Sequence, residues 1–180
     1  MNMKRTHQMR AFCSMLVLVS LMLFVGSSSA TDLRAWSDKI ENHKRFKVLK
    51  EFDGAAVLDR ETRLVWEQSP GTTPSTWSDA RLHCAKKVVG GRMGWRLPSF
   101  YELASLVDHS KASPSLPYLH PFNVSTATRY WTTTQDINGG TGAVTVNFVN
   151  GEVSTLPEFL NGSTNLFWCV RGGSAGANLH

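Results

Sequence analysis

Gly94-Trp95-Arg96-Leu97-Pro98-Ser99-Phe100-Tyr101-Glu102-Leu103 is the stretch from which the fold is read. Gly94 permits a backbone turn that other residues resist. Trp95 and Leu97 place large apolar groups on either side of a fixed cation, Arg96. Pro98 suits the first turn of a helix, where its missing N–H is no loss. Ser99 and Glu102 have the spacing of a capping box. Leu103, Leu106 and Val107 then continue an apolar stripe to about His109. A tryptophan-anchored loop therefore runs straight into a helix, and the flanking segments are read as layers packed on this joint.

Working towards the N-terminus, a second helix is expected ahead of the joint. Thr76 or Ser78 would cap it and Asp79 would favour its N-terminal dipole. Trp77, Ala80, Cys84 and Val88 fall on one face, and Gly90-Gly91 would end it. Residues 69–75 form a loop rich in Pro, Gly and Thr. Before it lies a β-meander. Phe46, Val48 and Phe52 occupy alternate positions that also include Lys50, and Asp53-Gly54 gives a two-residue turn. Residues 55–58 return, 59–63 turn again, and 64–66 make a third strand with one apolar face.

Residues 1–30 read as a secretory signal peptide. Lys4, Arg5 and Arg10 form its positive start, residues 11–25 its apolar segment, and Ser28-Ser29-Ala30 its cleavage site. The apolar run is short for a membrane span, so no stable span is expected after cleavage. Cys13 would leave with the peptide. Residues 31–44 carry Leu33, Trp36 and Ile40 at helical spacing and form a helical lead-in, with Thr31 or Asp32 as cap. Of 19 basic and 14 acidic residues, three basic ones lie in the leader, so the formal charge drops from +5 to +2. With that small net charge and no basic run of five or more residues, nucleic acid is excluded as a partner. A hydrophobic share of 42% supports one packed domain.

Towards the C-terminus, residues 110–129 hold Pro114, Pro117 and Pro121 and form a loop long enough to suggest function. Residues 130–134 read as a strand and 136–142 as a turn-rich loop. Val144, Val146 and Phe148 share one side of a hairpin that turns at Asn150-Gly151 and returns over 153–156. After a loop over 157–164, residues 166–171 close the domain and 174–180 form a polar tail.

Several of these pieces recur together elsewhere. Leu58-Asp59-Arg60-Glu61-Thr62-Arg63-Leu64-Val65-Trp66-Glu67, Trp77-Ser78-Asp79-Ala80, Trp95-Arg96-Leu97-Pro98 with Glu102-Leu103, Tyr130-Trp131-Thr132-Thr133-Thr134 and Cys169-Val170-Arg171-Gly172-Gly173 stand in order. In this arrangement residues 45–173 resemble the Lcl C-terminal domain family, which usually has glycine where Arg63 stands. The resemblance implies a secreted or periplasmic bacterial protein of α+β, C-type-lectin-like fold. Two helices would pack on twisted, mostly antiparallel strands, with one disulfide, and the chain ends would meet through the first and last strands. Cys84 and Cys169 are an even pair in an exported chain, and such a fold bridges the elements that carry them. Loop-closure entropy sets an upper stabilisation of roughly 4–5 kcal/mol for that bridge.

The remaining chemistry is sparse. His43, His83, His109, His120 and His180 have no zinc spacing, so no metal is expected. Asp136 and Asn138 offer oxygens, but the sugar motifs of calcium-dependent lectins are missing, and Asp136 is read as a turn residue. No nucleophile elbow, phosphate loop or dinucleotide pattern occurs, so neither a catalytic residue nor a cofactor is assigned and the chain is read as a non-enzyme. Trp66, Trp77, Trp95 and Trp168 are assigned to the core, with Trp131 the tryptophan most open to a ligand role. Arg96 and Arg171 are expected to pair with Glu102, Asp59 or loop carbonyls.

The function that follows is an exported binding or adhesion module with a glycan or surface protein as partner. Its ligand loops would be 110–129, with Pro114, Pro117 and Arg129, then 135–142, with Asp136 and Asn138, and 157–164. A structural accessory subunit of an envelope complex is the alternative, ahead of an enzyme with an unrecognised site. A family relative is an adhesin with affinity for sulfated polysaccharides. Here the long loops offer only Lys111 and Arg129 as cations, so weak or absent heparin-type binding is expected. Oligomeric state is left open.

Overall fold

The computed structural model describes residues 42–124, 129–136, 141–157 and 163–173. The expected leader, most of the lead-in with Trp36, Asn138 and the tail with His180 lie outside the described residues.

The chain begins with a single helical turn, α1 (Asn42–Arg45), and strand β1 (Phe46–Val48). A 3-10 turn (Lys50–Phe52) leads to β2 (Ala56–Asp59) and β3 (Val65–Glu67). Helix α2 (Trp77–Lys86), the short β4 (Trp95–Arg96) and α3 (Phe100–Ala104) follow. Then come β5 (Arg129–Gln135), β6 (Gly142–Asn147), β7 (Val153–Pro157) and β8 (Val170–Arg171). Five strands form one antiparallel sheet in the order β1-β2-β3-β8-β4, and three form a second, β5-β6-β7. This is the α+β arrangement of small helices and antiparallel sheets expected from the sequence.

Both faces of the larger sheet are buried. Consecutive strand residues point to opposite faces, and here each face meets its own core. Ala56 and Cys169 enter one core, with Trp77, Ala80, Cys84, Trp95 and Leu97. Val57, Trp66 and Val170 enter the other, with Leu103, Phe148 and Trp168. Tyr130-Trp131 splits in the same way, with Trp131 in the first core and Tyr130 in the second. Helix α2 packs against β4 and β5, and α3 against β5 and β6.

Several local expectations are corrected. The first connection is not a two-residue hairpin. Phe52 turns inward through the 3-10 segment, and Asp53 and Gly54 both take positive φ while Leu49 N–H bonds Ala56 O at 2.9 Å. Helix α2 stops at Lys86, ahead of the glycines, and Val88 is 56% exposed. Gly90-Gly91 instead makes a tight turn in which Val89 and Arg92 exchange backbone hydrogen bonds. Only glycine fits at position 90, because a Cβ there would lie 2.3 Å from Phe52 Cα. Pro98 precedes the cap of α3, and that helix ends at Ala104, well short of His109. The later hairpin turns over four residues, with Asn147 N–H bonded to Glu152 O at 2.8 Å. The closing strand is only Val170–Arg171, and it lies between β3 and β4, with β1 at the sheet edge. The first and last strands therefore do not meet.

Candidate functional site

The joint at Trp95–Leu103 is a polar knot closed on itself. Ser99 Oγ accepts from Glu102 N–H at 3.3 Å, and Glu102 Oε2 accepts from Ser99 N–H at 2.8 Å, which completes the capping box. The Arg96 guanidinium then grips both oxygens of Glu102, at 2.7 and 2.6 Å. Its Nη2 also donates to Gly172 O at 2.9 Å, tying the helix cap to the end of β8. Burial pushes the Glu102 carboxyl up, but the Arg96 fork and the Ser99 donors more than offset it and hold it below the usual range. Arg171 donates through Nε to Met93 O at 2.9 Å, so it takes the loop carbonyl rather than Asp59. Asp59 is fully buried and takes Arg45 instead, through Nε at 3.0 Å and Nη2 at 2.8 Å.

The tryptophans are committed to packing. Trp77, Trp95, Trp131 and Trp168 are all buried, and each indole N–H donates to a backbone carbonyl: Thr132, Arg92, Ser75 and Glu67. Trp66 is wholly buried edge-on against Trp168, at 5.5 Å between centroids, and its Nε1 has no partner among the described residues. Trp131, read from sequence as most open to a ligand, is 0% exposed and is not a stacking platform here. Leu97 and Leu103 are buried beside them.

Cys84 and Cys169 form the expected disulfide, with Cα atoms 5.4 Å apart and both residues buried. Glu67 sits against this bridge. Its Oε2 accepts from Cys169 N–H at 2.8 Å and its Oε1 pairs with Lys87 Nζ, just beyond the helix that carries Cys84. Burial pushes the Glu67 carboxyl above the ordinary range despite Lys87 and Cys169. A compact ammonium at the rim compensates less than the two-pronged guanidinium beside Glu102.

One of the three expected ligand loops is described well enough to assess as a surface, and it is not slack. Ser113 N–H and Ser115 N–H bond Val149 O and Phe148 O, at 2.9 and 2.7 Å. Leu116, Pro117 and Phe122 are buried, while Pro114 is half-buried after a cis Ser113–Pro114 bond. Between these anchors the chain turns outward. Tyr118 is 68% and Leu119 61% exposed. Leu119 has φ 64, a left-handed conformation that a bulky residue resists. His120 closes the tip. Its ring stacks on Phe122, and its Nδ1 accepts from Phe122 N–H at 3.2 Å, a bond only the neutral ring makes. Burial holds His120 below the ordinary histidine range.

The other expected ligand residues do not gather there as free groups. Arg129 pairs with Glu152 at 3.2 Å and donates to Ser154 Oγ, so it braces β5 against the start of β7. Asp136 follows β5 and its N–H bonds Gly142 O at 2.9 Å, while Asn138 and residues 158–162 lie outside the described residues. Among the described residues no group of three or more His, Cys, Asp and Glu is placed to hold a metal ion, and no helix is long and apolar enough to cross a membrane. Sequence reasoning missed Arg45, Glu67, Lys87 and the Tyr118-Leu119 tip. Glu67 left a trace, as a charge ending the apolar run Leu64-Val65-Trp66. Tyr118-Leu119 left another, as two large apolar residues between prolines.

Arg63, where glycine is the usual residue in the resembling family, has φ 61. The backbone thus keeps the left-handed conformation that suits glycine although the side chain is not glycine. No curated protein matches the chain. The model of the Lcl C-terminal domain matches residues 55–171, a span that takes in the disulfide, the polar knot and the Tyr118 loop and covers well over half the sequence; the chain belongs to the Lcl C-terminal domain family.

Proposed function

We propose that this protein is an exported, non-catalytic binding module of C-type-lectin-like type, and that it contacts a neutral glycan or a surface protein through the Tyr118-Leu119 tip. The observation that supports this reading is the contrast within that loop. Its flanks are buried and hydrogen-bonded, yet two large side chains are held out in water by a strained backbone. Local strain persists where the surroundings over-determine it, and such positions cluster at ligand-contacting sites. Tyr118 brings an aromatic face and a hydroxyl at low entropic cost, a combination suited to sugar rings and to protein surfaces alike.

The polar groups nearest this tip do not favour a polyanion. Arg129 is paired with Glu152, which leaves Lys111 as the exposed cation of the loop among the described residues. A glycan array and a surface-protein screen, run with the wild type and with Tyr118→Ala, test the reading. Binding should fall at least about tenfold in the variant, the loss of one good aromatic contact, with thermal stability unchanged. A ligand bound equally by both proteins would sink it. Retention on heparin well above ~0.15 M salt, abolished by Lys111→Ala with Arg129→Ala, would replace it with a polyanion-binding module.

A further inference from the structure

A second surface lies on the other core, at the Gly90-Gly91 turn. Two guanidiniums converge there on one ring. Arg92 lies over Phe52 with its Cζ 5.0 Å from the centroid, and Arg171 over the same ring at 5.8 Å, both within cation–π range. Each is aimed by a backbone carbonyl. Arg92 Nε donates to Glu51 O at 3.2 Å and Arg171 Nε to Met93 O at 2.9 Å. Both bonds use the Nε edge, and among the described residues neither guanidinium has a carboxylate partner. Elsewhere in the described chain, Arg45, Arg96 and Arg129 each hold one. Glu51 and Asp53 flank Phe52 in sequence and are exposed, but neither forms an ion pair with Arg92 or Arg171.

The turn also presents apolar groups. Val89 and Arg92 exchange hydrogen bonds across it, so Val88 and Met93 occupy the next position on each arm. Both are exposed, at 56% and 64%. The platform beneath is rigid. Gly90 is pressed on the Phe52 backbone, Phe52 meets Trp95 edge-on, and Trp95 Nε1 bonds Arg92 O at 2.8 Å.

We propose that this surface docks an acidic segment of a protein partner, with carboxylates on Arg92 and Arg171 and an apolar side chain over Val88 and Met93. Guanidinium forks fixed through Nε keep their terminal nitrogens for bidentate contact with a carboxylate. Exposed methionine and arginine on a fixed platform are the composition of a protein interface. A polysaccharide has no use for the Val88–Met93 pair, and this decides between the two kinds of polyanion. The surface is separate from the Tyr118 tip and stands whether or not that tip binds.

Nuclear magnetic resonance titration of the purified chain tests this, using three probes. One is a capped peptide alternating glutamate with leucine, one its glutamine counterpart, and one a size-defined heparin oligosaccharide. The glutamate peptide should shift the amides of residues 88–93 and 171, and the glutamine peptide should bind about tenfold more weakly, as expected for losing charge-assisted hydrogen bonds. Arg92→Ala with Arg171→Ala should weaken the glutamate peptide by about tenfold or more. Because Arg171 also braces the sheet, Met93→Glu serves as the second variant. Met93 is exposed, so the fold should survive the change while the acidic peptide is repelled. No binding of the glutamate peptide, equal affinity for wild type and Met93→Glu, or shifts at these residues from heparin alone would overturn the proposal.

Discussion

The Arg96–Glu102 knot and the Tyr118 loop are both irregular polar segments, and they use their residues in opposite ways. In the knot the charged and capping groups are consumed internally. Both oxygens of Glu102 are taken, Arg96 is shared between Glu102 and Gly172, and Trp95 is buried with its N–H bonded. In the loop the backbone is held just as firmly, through Val149 and Phe148, but Tyr118 and Leu119 are left in solvent. The segment most recognisable in sequence therefore spends its charged and capping groups on itself, although it keeps Tyr101 exposed at its surface. The proposed function gives ligand contact to the segment whose anchors are backbone groups, because those anchors leave Tyr118 and Leu119 unused.

That contrast predicts where substitution damages stability and where it does not. The largest effects belong on the knot's side of the molecule. Removing the disulfide by Cys84→Ala with Cys169→Ala should destabilise by about 4–5 kcal/mol, the loop-closure estimate for a separation of 85 residues. Trp95→Ala should lower stability by about 3–5 kcal/mol, the usual range for truncating a buried tryptophan. Urea unfolding measures both. A Trp95→Ala protein with wild-type stability and lost binding would reverse the comparison and make Trp95 a ligand platform.

The knot was legible in the sequence because its parts are close together. A capping box is a four-residue pattern, and Arg96 lies six residues from Glu102. The disulfide was legible from an even cysteine count together with the family resemblance. What was missed depends on distant contacts. Asp59 meets Arg45 across 14 residues, and Glu67 reaches Cys169 across 102. Exposure of Tyr118 is decided by where Phe148 and Val149 lie, which no local pattern encodes. The Asp53-Gly54 turn failed for a related reason. Phe52 is drawn into the first core, and the chain tightens into a 3-10 turn to bury it.

Smaller effects separate two ion-paired carboxylates, Glu102, half-buried in the knot, and Glu67, buried at the disulfide. Glu102 is held below 4.5, so its contribution is present above that pH and lost as pH falls through the depressed value. Glu102→Gln should therefore destabilise by about 1–2 kcal/mol near neutrality, by weakening both the cap and the Arg96 pair, and the difference from wild type should shrink in acid. Glu67 is raised above 4.5, so its contribution is present in acid and lost as pH rises through the raised value. Glu67→Gln keeps an acceptor for Cys169 N–H and removes a charge that burial disfavours, so at neutral pH it should be neutral or stabilising. Unfolding curves from about pH 8 to about pH 2 decide this. The same sign for both variants at neutral pH would show that the two ion pairs are equivalent, against the difference between a guanidinium fork and a rim ammonium.

The smallest effect tests the loop, and its sign matters more than its size. Leu119 at φ 64 carries the penalty of a left-handed residue, ~1–2 kcal/mol. Glycine relieves that penalty but has a more mobile unfolded chain. Leu119→Gly should therefore stabilise by only about 0.5–1 kcal/mol. The exposed leucine side chain contributes little packing to offset that gain. If the strained tip is retained for binding, the same variant should bind the Tyr118 ligand more weakly while unfolding at higher urea. Stability and affinity would then move in opposite directions, which no substitution in the knot should produce. A Leu119→Gly protein that is less stable than wild type would mean that Leu119 packs as the knot residues do, and the distinction between the two segments would fall.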